Sequence, residues 1–335
     1  MMNYINFNIY FPSILVILSL YMTLKNLIFC FIILHNFFSA AQKKESRLNV
    51  IIDTDSANEI DDLFAITRAI QEPNFRLLGI TAAQFHTSPY ASNNTALESH
   101  EINKEFIDLI PNFQVPLIIG SSLPLKNAKT PRISDASQFI IDQARILPKE
   151  KKLYLIILGS CTNVASALLE APEIKSKLVV LYVGFWHDTK KNTYDKKEFN
   201  TNNDITATNF LLDSEGLDFR IMSATTSQYL VFKKSIAFNN LGDNPLGKYL
   251  KQRWVEYERW WTKKDIEKKY WIMWDLAIIE ALINPELTNI KQFKTPLDNL
   301  DRNILIYTAI DSKKMEDDFW KHYKTLINHI PHDPF

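Results

Sequence analysis

Asn49-Val50-Ile51-Ile52-Asp53-Thr54-Asp55-Ser56-Ala57-Asn58-Glu59-Ile60-Asp61-Asp62 is the most informative stretch of the chain. It opens on an unbroken apolar run and then packs four aspartates and a glutamate into ten residues. A strand without polar alternation is one buried on both faces, as in a parallel sheet covered by helices. Such sheets bind ligands beyond the carboxyl ends of their strands, which is where these acids fall. Crowded carboxylates repel, and one must stay protonated unless donors or a cation neutralise the group. Oxygen donors alone point to a hard ion, calcium or magnesium, and calcium accepts about six to eight carboxylate, carbonyl and water oxygens. An EF-hand is excluded, because counting from Asp53 its glycine position holds Asn58 and its bidentate glutamate position holds Phe64. The competing reading is a solvated acidic loop that caps the next helix.

Outward from this stretch the pattern repeats. Apolar runs at 49–52, 77–82, 117–119, 153–158, 178–183, 219–222 and 303–308 read as strands. Amphipathic stretches at 62–70, 134–146, 163–171, 205–212, 275–282 and 314–327 read as helices. The β-α-β-α order predicts a single α/β domain, an open and mainly parallel sheet flanked by helices. The 335 residues, 46% of them apolar, suffice for such a core. Lys+Arg and Asp+Glu are 38 each, so there is no basic footprint for nucleic acid. The seven glycines form neither G-x-G-x-x-G nor G-x-x-x-x-G-K-[ST], which removes the dinucleotide and P-loop readings. Cys30 and Cys161 are too far apart in kind and place for a disulfide framework or a C-x-x-C metal clip, and Cys161 reads as a small buried residue.

Residues 1–41 carry one charge, Lys25, between apolar runs at 14–22 and 27–38, and end in Ser39-Ala40-Ala41 before Gln42-Lys43-Lys44-Glu45. That is the layout of a signal peptide, with Met22 a candidate true start. Cleavage after Ala41 leaves 42–335 as a secreted or periplasmic domain with no stable membrane span. An uncleaved anchor over 14–38 is the other reading, but Lys25 divides it into halves shorter than the ~20 residues a bilayer needs.

Asp53-Thr54-Asp55 followed by Asp61-Asp62 resembles the D-x-D-x-x-x-D-D signature of the inosine-uridine-preferring nucleoside hydrolase family. Leu158-Gly159-Ser160-Cys161-Thr162-Asn163 is similar to its L-G-P-L-T-N loop, Glu198-Phe199-Asn200 with Asp204 to its E-F-N-x-x-x-D segment, and Trp274-Asp275-Leu276-Ala277 to its H-D-P-L-A. The resemblance runs from Asn49 to the C-terminus. It implies the nucleoside hydrolase fold and calcium-dependent hydrolysis of the N-glycosidic bond of a ribonucleoside or related N-ribosyl compound. It also implies that Asp55, Asp62 and Asp275 hold calcium by carboxylate and Thr162 by backbone carbonyl, with Asp53 in support close by. Asp55 would accept the proton of the attacking water. Asp61, Glu198 and Asn200 would hold ribose hydroxyls and the 5′ end, and Gln84 stands in the place of the family's asparagine. Family members are commonly dimers or tetramers, so a homo-oligomer is expected.

The departures are specific. Five residues separate Asp55 from Asp61 where the usual motif has three, Pro-Gly among them. Trp274 stands where purine-preferring members carry a histidine regarded as proton donor to the leaving base. His187, just after the strand at 178–183, is the candidate substitute donor, or else a surface loop histidine; His86 and His100 are weaker because nothing fixes them. Trp254, Tyr257, Trp260 and Trp261 share one face at helical spacing, either docking a helix or forming a lid that stacks on a planar base. Tyr229 joins either group. Two other functions compete with a nucleoside hydrolase: a noncatalytic calcium and ribose binder, and a glycosidase for another sugar, with Gln84 and the longer loop as its specificity changes.

Overall fold

The computed structural model describes residues 47–328, with Met22 and Lys25. The described residues from Arg47 onward fall within one compact unit. The expected leader over 1–41 lies, Met22 and Lys25 apart, outside the described residues. Among the described residues no helix is long and apolar enough to cross a membrane.

The strands are β1 (Leu48–Thr54), β2 (Phe75–Ala82), β3 (Leu117–Ile119), β4 (Leu153–Ile157), β5 (Leu178–Gly184), β6 (Trp186–Asp188), β7 (Thr193–Asp195), β8 (Asp218–Ser223), β9 (Val231–Lys233), β10 (Tyr270–Ile272), β11 (Thr288–Lys294) and β12 (Asn303–Ile310). Eight form one sheet in the order β11-β12-β8-β5-β4-β1-β2-β3; β6 pairs with β7 and β9 with β10. Within the large sheet every pairing is parallel except β11 against β12. Successive residues of a strand point to opposite faces, and both faces here are covered. Val50 and Ile52 pack into one core and Ile51 into the other, just as Ile156 opposes Leu155 and Ile157. Helices Asp61–Ile70, Trp274–Ile283 and Ser312–Ile327 seal the first layer; Asp135–Ile146, Thr162–Glu170 and Ile205–Asp213 seal the second. At about 1.5–3 kcal/mol for each fully buried aliphatic side chain, these runs are what hold the central strands in place.

All the expected sheet strands are present, and β4 ends one residue early, at Ile157. The sequence pattern missed β11, an edge strand exposed along most of its length and so lacking an apolar run. It also missed helix Thr95–Asp108, whose polar composition hides its periodicity. The aromatic segment is corrected: helix Pro245–Glu256 stops before Tyr257, so Trp254, Tyr257, Trp260 and Trp261 do not share a helix. Trp254 is fully buried in the core against Trp271 and Phe64.

The chain runs outward from β1 through β2 to β3, then crosses back to β4 on the other side of β1. Connections leaving β1 and β4 diverge at that reversal and open a crevice at the strands' carboxyl ends.

Candidate active site

A cavity of about 500 Å³ occupies the crevice. Asp53, near the end of β1, supports its floor from behind. Its Oδ1 accepts from Thr81 Oγ1 at 2.6 Å and from Asn163 Nδ2 at 2.8 Å, while Oδ2 has no partner. Burial pushes this carboxyl up to about 6 against both hydrogen bonds. Asn163 also donates to the Ala82 carbonyl, so one amide ties the ends of β1 and β2 to the first turn of helix Thr162–Glu170.

Asp55 follows β1 and is buried, with Oδ2 unpartnered. Asp61 and Asp62 open helix Asp61–Ile70, and Asp275 stands in the first turn of helix Trp274–Ile283. The two helix starts meet: the Asp275 N–H donates to Asp61 Oδ2 at 3.0 Å. The Thr54 hydroxyl donates to Asp62 Oδ1. Carboxylate oxygens of Asp61, Asp62 and Asp275 lie within 4.8 Å of one another. A helix N-terminus favours an acid, but several acids in one dry crevice repel. Burial first, then mutual repulsion, pushes Asp55, Asp61 and Asp275 well above the usual carboxylate range. Burial raises Asp62 to about 6. A buried all-oxygen set with an orphaned carboxylate oxygen fits a hard divalent cation.

The lengthened loop adds Glu59, whose Oε1 accepts from Trp271 Nε1 at 2.7 Å. Burial and the charge of Asp61 push it up as well. Its neighbour Asn58 is 6% exposed, and Asn58 Oδ1 has no partner.

Glu198 caps the short helix Phe199–Asn203: Oε1 accepts from the Asn200 N–H at 3.0 Å, and Oε2 from the N–H groups of Thr201 at 3.0 Å and Phe185 at 2.9 Å. Asn200 Nδ2 donates to the carbonyls of Leu158 at 2.6 Å and Val183 at 3.1 Å, which leaves its oxygen for a ligand hydroxyl. Aromatic rings make the walls. Trp274 meets Trp186 edge to face at 5.9 Å, and Trp260 leans on Phe199 at 5.5 Å, with Trp261 beside it. A planar ring fits between such faces.

Of the residues singled out from sequence, Asp55, Asp61, Asp62, Glu198, Asn200, Trp274 and Asp275 line this one cavity. Gln84, Thr162 and His187 do not. Gln84 is buried behind the wall, donating to Thr162 Oγ1 at 3.2 Å and the Asn203 carbonyl at 3.1 Å. Thr162 begins a helix, so its carbonyl turns along the helix and accepts from Ser166 Oγ at 2.7 Å; Leu158, earlier in the loop, lines the cavity instead. His187 stacks on Tyr194 at 4.6 Å, with Nε2 3.0 Å from Asn192 Oδ1. Strand alternation explains the miss, because neighbours in β6 point opposite ways and Trp186 takes the cavity. Tyr257 packs on Trp271, while Tyr229 is exposed and His86 and His100 lie off the cavity. Sequence reasoning passed over Trp186, Asn58 and Glu59. The first was readable from its place just beyond β5, and the others from the extra length of the acidic loop.

The sequence matches the family model described as inosine-uridine preferring nucleoside hydrolase over residues 50–317. Among curated proteins none matches by sequence. An inosine-guanosine nucleoside hydrolase superposes with a TM-score of 0.65 at 17% identity, covering 85% of this chain and 100% of that one. A purine-preferring ribonucleoside hydrolase from Gardnerella vaginalis gives 0.63 at 18%, covering 83% and 98%. A plant nucleoside hydrolase gives 0.61 at 17%, covering 82% and 98%. At these identities the superpositions establish the fold, and the sequence match, which spans most of the domain, establishes descent. The protein belongs to the inosine-uridine preferring nucleoside hydrolase family and is a hydrolase acting on N-glycosyl compounds.

Proposed function

We propose that the protein hydrolyses the N-glycosidic bond of a ribonucleoside or related N-ribosyl compound, with calcium held among Asp61, Asp62 and Asp275 beside Asp55. The observation that carries this is the unpartnered, buried Asp55 Oδ2 at a cavity where three further acids converge. A pure binding protein has no use for a base there. When bound, a hard divalent cation offsets the carboxylates and lowers the pKa of water. Asp55 takes the proton from the attacking water. The water oxygen bonds to C1′ as the C1′–N bond breaks and its electron pair leaves with the base. Positive charge that develops on the ribose is stabilised by the surrounding carboxylates. Glu198 and Asn200 hold ribose hydroxyls, which fixes C1′ over the attacking oxygen. Trp186, Trp260 and Trp274 enclose the base and exclude water.

The test is ribose release from purine and pyrimidine nucleosides by the purified protein with calcium, with Asp55→Asn as the blank. Release lost in the variant supports the reading. Ribose and calcium binding without release overturns it in favour of the noncatalytic binder.

The composition of residues 1–41 supports export with cleavage after Ala41, to the periplasm or the medium. N-terminal sequencing of the protein from its native compartment tests this; an intact leader on a membrane fraction would reverse it. A homo-oligomer is proposed as the assembly, to be read by light scattering.

A further inference from the structure

Helices Asp61–Ile70 and Trp274–Ile283 start side by side at the crevice, where the Asp275 N–H donates to Asp61 Oδ2. They are joined again further along, Arg68 Nε lying 3.2 Å from Glu280 Oε1. Arg68 is six residues beyond Asp62 and Glu280 five beyond Asp275, so at the rise of an α-helix this second tie sits roughly 8–9 Å behind the acids on both helices. The other Arg68 nitrogens reach Glu72 at 3.3 Å and, on helix Ser312–Ile327, Asp318 at 2.7 Å. Asn284 Nδ2 donates to the second Glu280 oxygen at 2.9 Å. Arg68 is 2% exposed and Glu280 is fully buried.

A buried ion pair adds little net stability, because desolvation offsets its attraction, and apolar side chains of the same volume would join these helices as firmly. What a guanidinium supplies and an apolar pair lacks is direction: its planar fork meets acids only along fixed lines. An apolar contact lets helices slide; this one resists it. Sliding is what the cavity cannot absorb, since carboxylate oxygens of Asp61 and Asp62 on one helix and Asp275 on the other converge across the same contact.

We propose that Arg68 is a positioning residue for the cation site: by holding Glu280 and Asp318 it fixes helix Trp274–Ile283 lengthwise against helix Asp61–Ile70, and so sets the spacing of Asp275 from Asp61 and Asp62. This rests on the cation site of the hydrolase reading above. Arg68 does not line the cavity and acts through the two helices.

The experiment measures calcium affinity by calorimetry in the wild type, in Arg68→Met/Glu280→Met and in Arg68→Lys, with Leu212→Ala, a core truncation against the opposite face of the sheet, as the control for lost stability. The double substitution exchanges the tie for flexible apolar chains. It is expected to raise the calcium Kd by at least about tenfold, the scale on which outer contacts tune a metal site, while Leu212→Ala leaves it unchanged. Charge alone predicts otherwise, because removing a cation from behind the acids leaves calcium binding unchanged or strengthens it. Arg68→Lys keeps the charge without the fork and is expected to weaken calcium several-fold. Wild-type or tighter affinity in the folded double variant, or a Leu212→Ala loss as large as its own, overturns the inference. If the double variant does not fold, Arg68→Lys decides, and wild-type affinity there overturns it. A wild type that binds no calcium defeats the cation site itself, an outcome distinct from variants that bind as well as the wild type.

Discussion

Gly159 lies against Asp55 so closely that a Cβ on Gly159 would stand 2.8 Å from Asp55 Oδ1 and 2.9 Å from its Cγ. The loop after β4 thus fixes where the carboxyl beyond β1 can sit, and the two meet at the reversal of strand order. Glycine is needed there for close approach, with no unusual φ.

Gly159→Ala should therefore displace the proposed base without dismantling the fold. We expect a cost of about 1–3 kcal/mol from overpacking and a fall in kcat of about 10²-fold, on the scale of a misplaced reacting group. Denaturant midpoints and steady-state kinetics check both; unchanged kcat would show that the Asp55 position is not limiting.

Asp55→Asn should abolish turnover by about 10²–10⁴-fold, the usual contribution of a general base. The same change relieves Asp55 of repulsion by Asp62 and Asp61, so the metal-free variant should melt higher than the metal-free wild type. Lower melting together with full activity would remove Asp55 from the role.

Chelation should lower the melting temperature, since a ligand that binds only the folded state stabilises it by mass action. In the metal-free protein Asp53 and Asp62 are raised from 3.8 to about 6. Raised acids contribute stability that is full below pH 3.8 and lost as pH rises through about 6. Calcium, which needs ionised ligands, should stabilise more at pH 7 than at pH 5. Melting curves at both pH values, with and without calcium, read the effect. A calcium increment that is equal at both would contradict a carboxylate site.

Away from the cavity, Arg68 joins helix Asp61–Ile70 to Glu280 on helix Trp274–Ile283 at 3.2 Å and to Asp318 at 2.7 Å. One guanidinium serves these acids and Glu72 as well. Burial pushes Glu280 up to about 8, and the Asp318 charge adds to the rise while Arg68 opposes it. Its contribution is full below the ordinary 4.5 and is lost as pH climbs through about 8. Glu280→Gln should flatten that slope between pH 5 and 8, as read from urea midpoints with calcium saturating; a slope unchanged from wild type would mean Glu280 is ionised throughout.

The site was partly legible in the sequence because its chemistry clusters locally. Asp55, Asp61 and Asp62 fall within eight residues of one another, and a strand end is visible as the last residue of an apolar run. Asp275 and Glu198 were legible only through the family pattern. Gln84 and His187 fall near strand ends, yet side-chain direction sent them behind or away from the cavity, and Thr162, expected to act through its carbonyl, begins a helix that turns that carbonyl onto Ser166.

The layered α/β architecture was already implicit in the order of residues, since apolar runs with no polar alternation can be satisfied only between two layers of helices. That order also determined the acidic floor, because those carboxylates are neighbours along the chain. Which acids meet was a matter of tertiary structure: Asp275 reaches Asp61 only because two helices start at the same point of the crevice. The aromatic walls were likewise decided by folding, since Trp186, Phe199, Trp260 and Trp274 come from separate segments whose meeting depends on the order in which strands join the sheet.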